Sequence, residues 1–289
     1  MKQVKNTDEL IDYLITKGIK IYDVALAKES INDYTYYGIV NTYKSVFKNA
    51  DETYKKGVSF EEIFALFQFD MNLKALFIKY ILEIELVLKS KIANLFTEKY
   101  GLKDYLVPSN FASNNANNQA IALLIERIEN DIDTSYLRHD AITHFKDEYG
   151  YIPPFVLVKI ISFGVMSRFY GLMQLDDQQN ISKSFGISAK TLKAMLKNLT
   201  FVRNICAHSD RLFCYHSINT ISVKSLKINY TLPNNTNNLY IIILTMEKLL
   251  KKDKYLDFKK ELDLEIYKLS NELKSISIKD ILKIMGIKN

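Results

Sequence analysis

From Ser59 to Tyr100 the chain runs without a proline or a glycine, and this breaker-free stretch limits the fold more than any other feature. Apolar residues recur through it at helical spacing, among them Ile63, Leu66, Leu73, Phe77, Ile81, Ile84, Leu88 and Ile92. That spacing predicts either one helix of unusual length or two helices meeting near Asp70. Breakers are scarce throughout: 9 Gly and 4 Pro serve all 289 residues, too few for the many tight turns of an all-β fold. An all-α fold is expected.

The remaining segments fit that class. "TDELIDYLITKG" opens with Thr7 as a candidate N-cap and closes at Gly18. "SINDYTYYGIVNTYKSVF" is rich in tyrosine, and Tyr34, Tyr37 and Tyr43 can share one helical face. An aromatic core is the expected use of that face, ahead of a base-stacking surface. "PSNFASNNANNQ" is a polar loop, followed by helices over 120–130 and 135–148. "GYIPP" breaks the chain before an apolar helix from Phe155 to about Leu172, and another element precedes Gly186. Alternation over 218–232 allows a small β-hairpin, and 239–285 returns to helix. Glu83 and Glu85 stand about 200° apart on a helix, so they read as solvated charges rather than a carboxylate pair.

Several function classes are weakened by composition. Cys206 and Cys214 are the only cysteines, which builds neither a disulfide framework nor a zinc site. The longest apolar runs, such as "PPFVLVKIISFGVM", are too short to span a bilayer and are interrupted by Lys159. No secretory signal pattern opens the sequence, and the cytoplasm is the expected compartment. A net charge of +6 permits a polyanionic partner without requiring one.

"FVRNICAHSDRLF", residues 201–213, concentrates polar chemistry on an otherwise apolar helix. Spacing alone is weak evidence, because Arg138 with His144 and Arg211 with His216 have similar separations. Helical geometry separates them. Lys190, Lys193, Lys197, Thr200, Asn204 and His208 project within a sector of about 80°, opposite Leu192, Met195, Leu196, Leu199, Val202 and Cys206. Arg203 stands about 100° from Asn204 at the centre of that sector, where a long guanidinium can curl toward it. The constellation suits metal-free phosphodiester chemistry on RNA. An imidazole titrating near neutrality can move a proton to or from a ribose 2'-OH or a leaving oxygen. A guanidinium can neutralise charge building on the phosphate, and the amide can orient either group. No carboxylate cluster nearby suggests bound Mg²⁺. Catalytic candidates are Arg203, Asn204 and His208; RNA-binding candidates are Lys190, Lys193, Lys197 and Arg211. No metal ligand set and no cofactor is expected.

"RNICAHSDRLF" resembles the R-N-x-x-x-H signature of HEPN-superfamily ribonucleases, and specifically that of the Abi_2 (AbiD/AbiF-like) abortive-infection proteins. Three further blocks extend the resemblance over roughly residues 30–215: "YTYYGIVNTYKSVF", "FDMNLKALFIKYILEIELVLKSKIANLF" and "YIPPFVLVKIISFGVMSRFYGLM". The chain departs from the family pattern at Lys159, where a Glu is usual, and in "AHSDRLFCY", which lacks a second His and a Trp. The resemblance implies a HEPN-like helical bundle over 56–215, with a Tyr-rich helical segment over 1–55 and a hairpin with helices over 216–289. It implies a metal-independent endoribonuclease, acting in abortive infection or as a toxin, that leaves 2',3'-cyclic phosphate and 5'-OH ends. A homodimer is implied as well, with two Arg–His sets facing one phosphate. The partner expected is RNA, with no membrane and no DNA. The alternative is a catalytically silent HEPN scaffold that binds RNA or a partner. His144, close to where relatives often carry a His, is expected to be structural.

Overall fold

In the computed structural model, which describes residues 5–112, 114–208, 210–217, 219–226 and 237–287, the breaker-free stretch is one uninterrupted helix. The helices are α1 (Thr7–Thr16), α2 (Val24–Tyr34), α3 (Phe60–Tyr100), α4 (Asn118–Ser135), α5 (Asp140–Tyr149), α6 (Pro154–Ile160), α7 (Phe163–Leu172), α8 (Leu175–Lys183), α9 (Ala189–Ala207), α10 (Tyr240–Leu249), α11 (Lys252–Glu272) and α12 (Ile278–Met285). Isolated bridges occur, but the described residues contain no strand, so the all-α expectation holds. The hairpin expected over 218–232 lies largely outside the described residues. Its described part, 219–226, has no strand and ends in a 3-10 turn at Val223–Leu226.

α3 is the shaft of the molecule, about 60 Å long at 1.5 Å per residue. A capping box starts it: the Ser59 hydroxyl accepts from the Glu62 N–H, while the Glu62 carboxylate accepts from the Ser59 N–H. The other Glu62 oxygen accepts from the backbone N–H groups of Lys274 and Ser275 at 2.6 and 2.5 Å, holding the α11–α12 connection to the start of the shaft. Gly101, at φ 83°, ends the helix in a conformation that L-residues avoid. α6, α9 and α11 pack along α3, α7 packs on α9, and α1 with α2 closes one end. A continuous core runs through all of them, with Phe60, Phe77, Leu196, Val202 and Phe258 fully buried.

Four sequence expectations need correction. The α1 N-cap is Asn6, one residue before Thr7, in a capping box with Glu9. The apolar segment from Phe155 to Leu172 is two helices, because Ile161 and Ser162 are extended and the Ser162 hydroxyl caps α7 by accepting from Val165 N–H. Glu85 is buried and paired with Lys89 at 2.7 Å, whereas Glu83 is only partly exposed and reaches Lys254 at 3.4 Å. The tyrosines do not share a face. Tyr43 is buried, while Tyr34 and Tyr37 are 47% and 74% exposed.

Candidate functional site

α9 carries the motif, and its sequence explains its orientation. Ser188 caps it, accepting from Thr191 N–H at 3.1 Å. Leu192, Met195, Leu196, Leu199 and Val202 are fully buried, fixing the opposite face outward. Lys190, Lys197 and Asn204 are exposed on that outward face. Lys193 is different: it is half-buried and its Nζ donates to the Gly171 carbonyl of α7 at 2.8 Å. Burial, and then the charge of Lys197, hold its pKa below the usual lysine range. Gly171 makes this approach possible, since a Cβ there would stand 3.0 Å from the Lys193 Cε.

The helix ends at Ala207, and His208 is its C-cap, with extended backbone and an exposed side chain. His208 opens into a cleft of about 1350 Å³ between α3, the motif loop and the segment 33–52. Lys74, Cys206, Asp210 and Arg211 share the cleft wall with it. Arg203 and Asn204 do not line the cleft. Arg203 is half-buried, and its shielded Nε has no hydrogen-bond partner among the described residues. Lys190 stands 18 residues before His208, about 27 Å along the helix axis. The predicted residues therefore divide into a cleft pair, His208 and Arg211, and a strip leading away along α9.

The loop after His208 is held by a residue that sequence reasoning missed. Asp70, fully buried in α3, accepts from the backbone N–H groups of Leu212 and Phe213 at 3.0 and 2.7 Å and from the Tyr43 hydroxyl at 2.8 Å. Burial raises its carboxyl pKa, against those hydrogen bonds and the nearby Lys74 charge. Burial and the Asp70 charge likewise push the Tyr43 hydroxyl up. Two more contacts complete the anchoring. Lys74 Nζ donates to the Asp210 carbonyl at 3.4 Å, and Arg211 Nη1 donates to the Thr42 carbonyl at 2.8 Å. Arg211 thus ties the motif loop to the opposite wall of the cleft. Further on, the buried Asn198 amide donates to the Asn219 carbonyl at 2.8 Å and accepts from the Asn219 N–H at 3.1 Å.

The neighbouring thiol is not poised for nucleophilic work. Burial, with the Asp70 charge adding to it, pushes Cys206 up to about 12, so it stays protonated at neutral pH. His144 lies on α5 with its ring against Phe145 and Tyr149 and does not line the cleft. Among the described residues no group of three His, Cys, Asp or Glu side chains could hold a metal ion, and no helix is long and apolar enough to cross a membrane.

No curated protein and no solved structure matches the chain. One family does, the Abi-like proteins (Abi_2), over residues 29–214. The matched region runs from α2 to the motif loop, and so takes in both walls of the cleft, Asp70 and the whole of α9. The chain belongs to the Abi-like protein family.

Proposed function

We propose that the protein is a metal-independent endoribonuclease of the HEPN type, acting in abortive infection. The observation that carries this reading is the exposed side chain of His208, which opens from the start of an anchored loop into a cleft large enough for a stretch of polynucleotide, with Lys74 and Arg211 lining the same cleft. In the reaction, the ribose 2'-oxygen bonds to phosphorus as the bond to the 5'-oxygen breaks. His208 takes the 2'-OH proton, and the departing 5'-oxygen is protonated by a second imidazole. Arg203 neutralises the charge that accumulates on the phosphorane and Asn204 orients the phosphate, both acting from α9 beside the cleft rather than from its lining, on a phosphate held at the rim where two chains meet. The products are a 2',3'-cyclic phosphate and a 5'-OH.

One chain carries one such set, so the reading requires a two-fold dimer in which two His208 side chains face one phosphate. α3 supplies a surface for it. Met71, Ala75, Ile78, Leu82 and Leu86 fall within a sector of about 80°, and Met71, Leu82 and Leu86 are 45%, 48% and 67% exposed. Met71 and Ala75 also line the His208 cleft, so this apolar strip runs directly into it.

The test is incubation of the purified chain with end-labelled RNA in EDTA, followed by analysis of product termini. Cleavage that leaves cyclic phosphate, and that is lost in His208→Ala with an unchanged circular dichroism spectrum, supports the reading. Cleavage abolished by EDTA, or undiminished in His208→Ala, overturns it. A silent scaffold would bind the same RNA and leave it intact.

A further inference from the structure

The wall of the cleft opposite the motif has its own chemistry. After α2 the chain turns at Thr35, a β-branched residue at φ 64° and ψ 149°, and then forms a π-helix over Tyr37–Asn41. Both features are costly and persist where surrounding structure over-determines them, often beside a ligand. The Thr35 hydroxyl locks the turn by accepting from Gly38 N–H at 3.0 Å. The result is an unusual partition of the tyrosines. Tyr43 goes into the core and binds Asp70, whereas Tyr34 and Tyr37 remain on the cleft surface. The Tyr34 ring packs at a tilt of 50° against Phe67, 5.0 Å between centroids, which restrains it. Tyr37 is 74% exposed and heads the π-helix.

Two exposed aromatic side chains thus line a cleft that also contains His208. At about 1350 Å³ the cleft exceeds the roughly 300–1,000 Å³ of small-molecule sites, which points to a stretch of chain rather than one metabolite. Asn41, Ser45 and Asn49 line the same wall and offer polar groups to base edges. Arg211 binds the Thr42 carbonyl, so this wall and the loop after His208 hold a fixed spacing.

We propose that Tyr37 and Tyr34 form a stacking subsite for an unpaired nucleobase flanking the phosphate presented to His208. The substrate is therefore single-stranded RNA, because a base within a duplex has no free face to offer. This inference rests on reading His208 as part of a phosphodiester-cleaving site. It differs from that reading in requiring only binding.

The experiment uses His208→Ala as the parent, so that affinity is measured without cleavage. Fluorescence anisotropy with a labelled single-stranded RNA is compared for the parent, the parent with Tyr37→Ala and the parent with Tyr37→Phe. Loss of one stacked base weakens binding by about tenfold. That loss is expected for Tyr37→Ala, while Tyr37→Phe, which keeps the ring, binds as the parent does. A duplex of the same sequence should bind more weakly and should not respond to Tyr37→Ala. Equal affinity of Tyr37→Ala and parent overturns the subsite, as does a duplex bound as tightly as the single strand, or a parent that binds no RNA. If the wild-type chain leaves RNA intact while Tyr37→Ala still weakens binding, the cleavage reading falls and the subsite stands.

Discussion

Asp70 holds the motif loop in place, yet a lone aspartate in a helix reads as a solvated charge. Its three donors identify it only after folding: two backbone N–H groups from 142 and 143 residues away and one tyrosine hydroxyl. Removing the acceptor leaves those donors buried and unpaired, each at a cost of about 1–3 kcal/mol. Asp70→Ala should therefore lose about 3 kcal/mol or more in urea unfolding, three unpaired donors at the lower figure. An unchanged midpoint would mean that the network contributes nothing. The pH dependence has a definite sign. Burial raises the Asp70 pKa above its unfolded value of about 3.9, so the folded state holds its proton longer. Its contribution is greatest in acid and declines as pH rises from about 4 through the folded value. Asp70→Asn should remove that decline from the stability profile, and a profile parallel to wild type would contradict the assignment. The outward face of Lys190, Lys197 and Asn204 was legible because it lies within one helix, where spacing fixes direction; that the helix stops at Ala207 and leaves His208 as an extended C-cap was not. Nor was Asp70, since its partners are set by tertiary approach.

At the scale of elements, α3 was legible because sequence alone shows the absence of breakers and the persistence of period. The division of α6 from α7 was not. Only Ile161 and Ser162 depart from helix, both within an apolar run, and a two-residue interruption barely disturbs a 3.6-residue period. The same limit applies to the lysines of α9. Periodicity puts Lys190, Lys193 and Lys197 on one face, but it cannot show that α7 approaches closely enough for Lys193 to reach Gly171. These residues should consequently respond differently to mutation. Charge reversal at Lys190 and Lys197 should lower RNA affinity across sequences and reduce the salt dependence by about one counterion per lysine. Lys193→Ala should instead cost about 1–2 kcal/mol of stability, through the lost hydrogen bond to Gly171, with little change in salt slope. Titrations of RNA binding against KCl, alongside urea unfolding, distinguish the two. Equal salt slopes for all three variants would show that Lys193 also reaches the RNA.

At the scale of the whole molecule, the apolar strip on α3 and the position of His208 make one joint demand. An exposed leucine is ordinary, but Leu82 and Leu86 one turn apart, in line with Met71 at the cleft, form a continuous face. In the proposed two-fold dimer a second copy would cover that face, so that each chain's strip and cleft edge meet the other's. Charge introduced at the centre of such a contact is opposed by its symmetry mate. The double variant Leu82→Asp and Leu86→Asp should therefore be monomeric in sedimentation, with its helical content intact and its RNA cleavage lost. Subunit mixing tests the shared site directly. When wild-type and His208→Ala chains exchange at equal amounts, about a quarter of the dimers keep two intact imidazoles, whereas dilution alone would leave half the activity. Activity near a quarter indicates that both His208 side chains serve one phosphate. Activity at half after full exchange, or a monomeric Leu82→Asp and Leu86→Asp chain that still cleaves at the wild-type rate, would show that each chain works alone.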